Sequence, residues 1–311
     1  MRALELKGEL PLRVHAYMPL ASWEQLAQYV KWEGWGLPRL TWGGVKAFMD
    51  GSLGSRTALF HDPYADDPGT AGIRVEEATW MRENIRQADA AGLQVAIHAI
   101  GDLAVDELVS HFNFTLQANG PADRRFRIEH AQHLSGPLAV QRIRKVDAMV
   151  SAQPMHLAGD RYMASKRLGE DRGRGGSTSR SQRAYAFRSF QEAGVKLALG
   201  SDWTVAPLDV LDSITAAQHR MDPRGDANGP WIPEERISAE EALQGFTKAP
   251  AHFSFREHEL GEIMPGAFAD FVMLSDSPWS ETTSRANQVK VLSTFMDGKC
   301  VWGCEERLHR C

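Results

Sequence analysis

The chain is poor in cysteine: its 311 residues hold three, Cys300, Cys304 and Cys311, all near the C-terminus and without C-x-x-C spacing. That scarcity argues against a disulfide framework or a zinc finger, and makes a reducing, cytoplasmic setting the expectation. Long apolar runs are missing too. None approaches the roughly 18 residues of a membrane-spanning helix, and Arg2, Glu5, Lys7, Glu9 and Arg13 interrupt the N-terminal stretch, so no signal peptide is readable. There is no basic excess: 35 Lys and Arg are interspersed with 40 Asp and Glu for a net charge of -5, which leaves no field to hold a nucleic-acid backbone. No G-x-G-x-x-G or Walker sequence follows any apolar run, which speaks against a nucleotide-binding doubly wound sheet. The partner expected is a small-molecule substrate, with neither nucleic acid nor membrane.

What is present is alternation. Short apolar runs at 12–17, 45–49, 94–100, 125–131, 148–153 and 196–201 predict strands, and amphipathic stretches at 22–32, 76–91, 103–118, 137–145 and 184–193 predict the helices between them. Gly92, just past the second of these helices, suits a left-handed C-terminal position. The Gly- and Arg-rich stretch 160–183 reads as a mobile loop. Beyond Pro207 two more helices are expected, at 208–220 and at 238–246. Ser238 and Glu241 have the spacing of a capping box on the second. Strands at 271–274, 291–296 and 300–302 follow, the last two joined by an Asp297-Gly298 turn. A parallel sheet with helical crossovers, followed by a small β unit, is the fold expected.

Four of the apolar runs end in residues able to hold a metal: Lys46, His98, His130 and Asp202. In a parallel α/β barrel the strand ends and the loops after them form the active face. Each residue also has an ordinary reading. His98 in VAIHAIGD is either a ligand or a core histidine bonded to a carbonyl. His130 in RIEHAQH is either a ligand or part of a buried polar pair, with Glu129 facing the other way on the strand. Asp202 is either a functional carboxylate or the cap of the next helix. Lys46 either pairs with Asp50 or, carbamylated, bridges two metals. Imidazoles and carboxylates suit zinc, manganese or iron. Such a metal activates water, and Asp202 is placed to accept its proton. Metal-assisted hydrolysis is the reaction class.

The runs VKAFMDGSLGSRTA, QVAIHAIGDLAVD, FRIEHAQHL, SAQPMH, LGSDWTVAPLDVL and FTKAPAHF followed by GEIMPGAFADFVML resemble, in order, amidohydrolase family 3 of the metal-dependent amidohydrolases, the branch containing N-substituted formamide deformylase. The resemblance covers nearly the whole chain. It implies a (β/α)8 TIM barrel with a small β-sandwich, and hydrolysis of C-N bonds other than peptide bonds. It implies His98, His130 and Asp202 as ligands from the fifth, sixth and eighth strands, Asp202 also as general base, and Lys46 as the conditional fourth-strand ligand. Zn is the expected ion, one or two in a full-length relative. His156 is expected to face substrate rather than metal, with Asp50, Ser52, Arg56 and Trp203 shaping the pocket. The basic Lys166, Arg167, Arg172 and Arg174 either meet an anionic substrate or solvate their loop.

Aligned by motif, the strands present are the third to the eighth. His-x-His, which the family carries on its first strand, occurs nowhere. The expectation is therefore a partial barrel over 1–255, the C-terminal part of a β-sandwich over 256–303 and a tail over 304–311, in a chain truncated at its N-terminus and weakly active or inactive. Pairing with a second chain, including a copy of itself, would cover the open edges. A non-catalytic scaffold with a regulatory or binding role is the competing expectation.

Overall fold

The computed structural model describes residues 1–169, 179–225, 229–279 and 286–304. Arg172, Arg174 and the tail beyond Cys304 lie outside them. The chain divides into two units, Met1–Ala152 with Gly159–Leu197, and Gln153–Ala158 with Ala198–Cys311.

The first unit opens with a short helix, α1 (Arg2–Leu6), and then alternates as the apolar pattern requires. Strand β1 (Val14–Pro19) leads to α2 (Trp23–Glu33), the two-residue β2 (Gly36–Leu37) and β3 (Leu40–Phe48). Next come α3 (Ala78–Ala90), β4 (Gln94–Ala99), α4 (Asp102–Asn119), β5 (Arg127–His130), α5 (Pro137–Lys145), β6 (Met149–Ala152), α6 (Pro154–Leu168), α7 (Phe187–Glu192) and β7 (Leu197–Leu199). The strand order is β1-β3-β4-β5-β6-β7, an open path with β2 attached antiparallel to β3. The pairings β1 to β3, β3 to β4, β4 to β5 and β5 to β6 are parallel, and Val150 donates to the Lys196 carbonyl at 2.9 Å at the approach to β7. Six strands in sequential order, with helices in the connections, are the expected portion of a (β/α)8 barrel.

Burial follows from the topology. All six residues of β4 are buried, because a central parallel strand is covered on both faces. Strands β3 and β4 approach so closely that a Cβ on Gly44, whose φ is 153°, would stand 2.1 Å from the Gln94 carbonyl oxygen. Outside the sheet, α3 buries Met81, Ile85 and Ala88, and Phe112 of α4 stacks on Phe126 with ring centroids 4.3 Å apart. A buried ion pair, Arg124 Nε to Asp89 Oδ1 at 2.7 Å, fastens the end of α3 to the segment entering β5.

Some expectations are corrected. The stretch from Asp160 does not begin as a loop, since α6 runs on to Leu168 and buries Ala164 and Leu168 completely. Those two apolar residues, one helical turn apart, outweigh the polar composition around them. Strand β3 begins at Leu40 rather than Val45, recruiting Thr41 and Trp42 into pairing with β1.

The second unit carries α8 (Val210–His219), α9 (Ala239–Phe246) and α10 (Lys248–Phe253), then β8 (Phe271–Leu274), β9 (Val291–Met296) and β10 (Lys299–Trp302) in an antiparallel sheet ordered β10-β9-β8. The capping box forms: Glu241 N donates to Ser238 Oγ at 3.1 Å and Ser238 N to Glu241 Oε2 at 2.7 Å. Phe271 stacks on Phe295 across the strands at 4.5 Å. Cys300 and Cys304 are joined by a disulfide, a short-range link that the scarcity of cysteine did not lead one to expect. Among the described residues no helix is long and apolar enough to cross a membrane.

Candidate metal centre

Parallel pairing puts the C-terminal ends of β3, β4 and β5 on one side of the first unit, where Lys46, His98 and His130 stand. Registry places Phe48 opposite His98 and Ala99 opposite His130. Partners in a parallel pair point to the same face, so regular alternation would set the His130 and His98 side chains on opposite faces. They meet nonetheless, with ring centroids 4.5 Å apart and edge to face. The cause is local: His130 has φ 76° and Ala131 φ 45°, so the strand turns through two left-handed residues as it ends.

His98 is held by the loop after β3. Its Nε2 lies 2.9 Å from the Gly51 carbonyl and 3.4 Å from Asp50 Oδ1. A carbonyl can only accept, so Nε2 carries the proton and the neutral ring keeps its lone pair on Nδ1. The carbonyl bond expected of an ordinary core histidine is thus made, and it is compatible with ligation through the other nitrogen. Asp50, 1% exposed, accepts from Leu59 N at 2.8 Å, Ile100 N at 3.0 Å and Gly101 N at 2.8 Å. That commits it to backbone and to His98. Lys46 Nζ donates to the Ala47 carbonyl at 3.0 Å and lies 3.8 Å above the Phe48 ring.

Ser52 joins a hydroxyl cluster, its Oγ 2.9 Å from Ser55 Oγ, while Ser55 Oγ is 2.6 Å from Thr57 Oγ1. Arg56 is engaged by Asp66 through two bonds of 3.1 and 2.9 Å, and Arg167 donates to the same carboxylate at 2.6 Å. The two guanidiniums hold the Asp66 carboxyl below the usual carboxylate range, chiefly through the bond from Arg56. Arg56 and Arg167 therefore brace the loop against α6.

In the second unit His156 and Asp202 offer ligand atoms within 4.8 Å of each other. Burial holds the His156 imidazole below its ordinary pKa, against the opposing charge of Asp202 and a bond to the Ser201 backbone. A neutral imidazole beside a carboxylate is a donor pair that a borderline divalent metal accepts. Asp202 is exposed and has φ 53°. It does not cap the next helix: Asp209 does, accepting from Asp212 N at 3.0 Å. Trp203 beside it is 65% exposed. Sequence reasoning had set His156 aside for substrate, and its nearness to Asp202 adds it to the candidate ligands. No spacing in the sequence signals that pair.

A parallel α/β sheet of this order, with two imidazoles meeting where its strands end, is the architecture found in metal-dependent hydrolases. The chain belongs to the amidohydrolase family, whose sequence profile matches residues 1–302. It is similar to an uncharacterized metal-dependent hydrolase from Pyrococcus furiosus, at 33% identity and TM-score 0.71 over 86% of this chain and 51% of that one. It is 41% identical over 292 residues to Protein LONG AFTER FAR-RED 3 of Arabidopsis thaliana, covering 94% of this chain and 48% of that protein. N-substituted formamide deformylase of Arthrobacter pascens is 27% identical over 215 residues, 68% of this chain and 37% of that enzyme. The chain thus spans half or less of the length of these relatives.

Proposed function

We propose that this chain carries ligands of a divalent metal, Zn by preference, for hydrolysis of C-N bonds other than peptide bonds in a small-molecule substrate. The first unit offers His98 and His130, with Lys46 as an added ligand if carbamylated, and the second offers Asp202 and His156. The observation that carries the reading is the His98–His130 pair, whose rings meet at 4.5 Å although strand alternation alone would part them. The donor chemistry fits: the Nε2 bond of His98 to the Gly51 carbonyl leaves Nδ1 for ligation, and burial favours the neutral form of His156. The ion would supply Lewis acidity, polarising the scissile carbonyl and making water a nucleophile near neutral pH. The chain's own residues do the rest. Asp202 accepts the proton of the attacking water on a carboxylate oxygen and returns it to the leaving nitrogen. Ser52 on the first unit offers substrate a hydroxyl, Trp203 on the second an apolar face, while Asp50 and Arg56 hold the loop that carries Ser52. N-formyl amines, the substrate class in the bacterial relative's name, are the first to test.

The test is metal content with turnover. The purified chain is expected to bind zinc, to lose it in His98→Ala and His130→Ala, and to hydrolyse N-formyl amines only when loaded. A folded chain that binds no zinc at micromolar concentration would sink the reading and leave the non-catalytic scaffold in its place.

A further inference from the structure

Two consecutive left-handed residues that are not glycine, His130 and Ala131, form a backbone that persists only when its surroundings over-determine it. Four backbone bonds tie it to neighbouring segments. Ala131 N donates to the Ala99 carbonyl at 3.1 Å and His133 N to the Ile100 carbonyl at 3.0 Å, while the Gln132 carbonyl accepts from Tyr185 N at 2.9 Å and Leu134 N donates to the Arg183 carbonyl at 2.9 Å. The first two fasten the turn to β4, and the others to the segment before α7. Side chains close the same joint. Gln132 Nε2 and Tyr185 Oη both donate to one oxygen of Asp160 on α6, the tyrosine at 2.6 Å. Gln132 is 3% and Tyr185 2% exposed.

Nothing in the packing demands a carboxylate there. Burial makes the group costly, and an apolar side chain of similar size would fill the space more cheaply. What Asp160 alone provides is an acceptor for two donors at once, one on each of the segments it joins. We propose that Asp160, with Tyr185 as its partner, is a positioning residue that fixes the left-handed turn and so aims the His130 imidazole at the metal. This rests on His130 being a ligand, as argued above. The clamp acts through Gln132, two residues beyond the ligand.

Cobalt(II) titration of the full chain, followed by its visible absorption bands, tests the aim of the ligand. Tyr185→Phe and Asp160→Ala are expected to weaken cobalt binding about tenfold or more and to change the band shape, as loss of an outer hydrogen-bond partner does. Asp160→Asn, whose amide oxygen accepts the same two bonds, is expected to restore both. Wild-type affinity and bands in Tyr185→Phe and Asp160→Ala would overturn the proposal. Amide hydrogen exchange separates this from the metal reading: exchange at Ala131, Gln132 and His133 should quicken in Tyr185→Phe while Val150 on β6 stays protected. If wild-type chain binds no cobalt the metal reading fails, and the clamp still stands or falls on that exchange. Tyr185→Phe, which only deletes a hydroxyl, carries the test if Asp160→Ala does not fold.

Discussion

Asp160 accepts a bond from Gln132, the residue just before His133, yet burial moves Asp160 and His133 in opposite senses. Burial lifts the Asp160 carboxyl to about 6, against the bonds from Tyr185 and Gln132 that favour its charge. Burial lowers the His133 imidazole to about 3, aided by the charges of Arg180 and Arg183. Because the folded Asp160 holds its proton more tightly than the unfolded chain does, its contribution is full below about pH 4 and lost as pH rises towards 6, by roughly 3 kcal/mol. His133 works the other way: its neutral form is favoured, so stability is full above about pH 6.5 and lost as pH falls towards 3. Urea melts of Asp160→Asn beside the parent should show the variant gaining on the parent between about pH 4 and pH 6, and a constant difference would refute the shift. His133→Gln should lose the acid-side slope. Neither group was legible in the sequence, where Asp160 opened a polar stretch and His133 trailed a better candidate. Their roles come from segments distant in sequence meeting at one joint, which no local spacing encodes.

Elements were more legible than their edges. The alternation of apolar runs and amphipathic stretches placed all six strands of the parallel path and the helices between them except α6, which follows β6 where a loop was expected. The capping box over Ser238 and Glu241 appeared as read, and Ser238→Ala is expected to cost about 1 kcal/mol in a thermal melt. The ends were lost where tertiary contact overrode composition: α6 is held by Ala164 and Leu168, and β3 is lengthened by a partner strand that its own residues do not announce. At the close approach of β3 and β4, Gly44→Ala should destabilise by several times the cap loss, because the added Cβ would meet a backbone carbonyl that cannot yield. Circular dichroism melts of the two variants side by side would show whether that order holds. Breaking the buried pair by Asp89→Ala should cost about 3–5 kcal/mol, as it strands Arg124 inside.

For the molecule as a whole, the proposed ligation by the strand-end histidines would make stability depend on metal. Zinc bound only by the native chain raises its stability by about 2.7 kcal/mol at a hundred times the dissociation constant. The melting temperature should climb with added zinc and fall back with a chelator, and neither should move in His98→Ala with His130→Ala. A net charge of -5 and an isoelectric point of about 6.1 place the minimum of solubility close to the pH where Asp160 titrates, so turbidity and melting are best read apart. Asp50 sets how this end of the sheet moves. Its two oxygens accept hydrogen bonds from the Leu59, Ile100 and Gly101 amides and lie beside His98. Withdrawing that carboxylate would strip three amides and loosen an imidazole in one event, so the loop after β3 and the end of β4 have no cheap way to fluctuate separately. They should behave as one cooperative opening unit, with those three amides exchanging at a common rate.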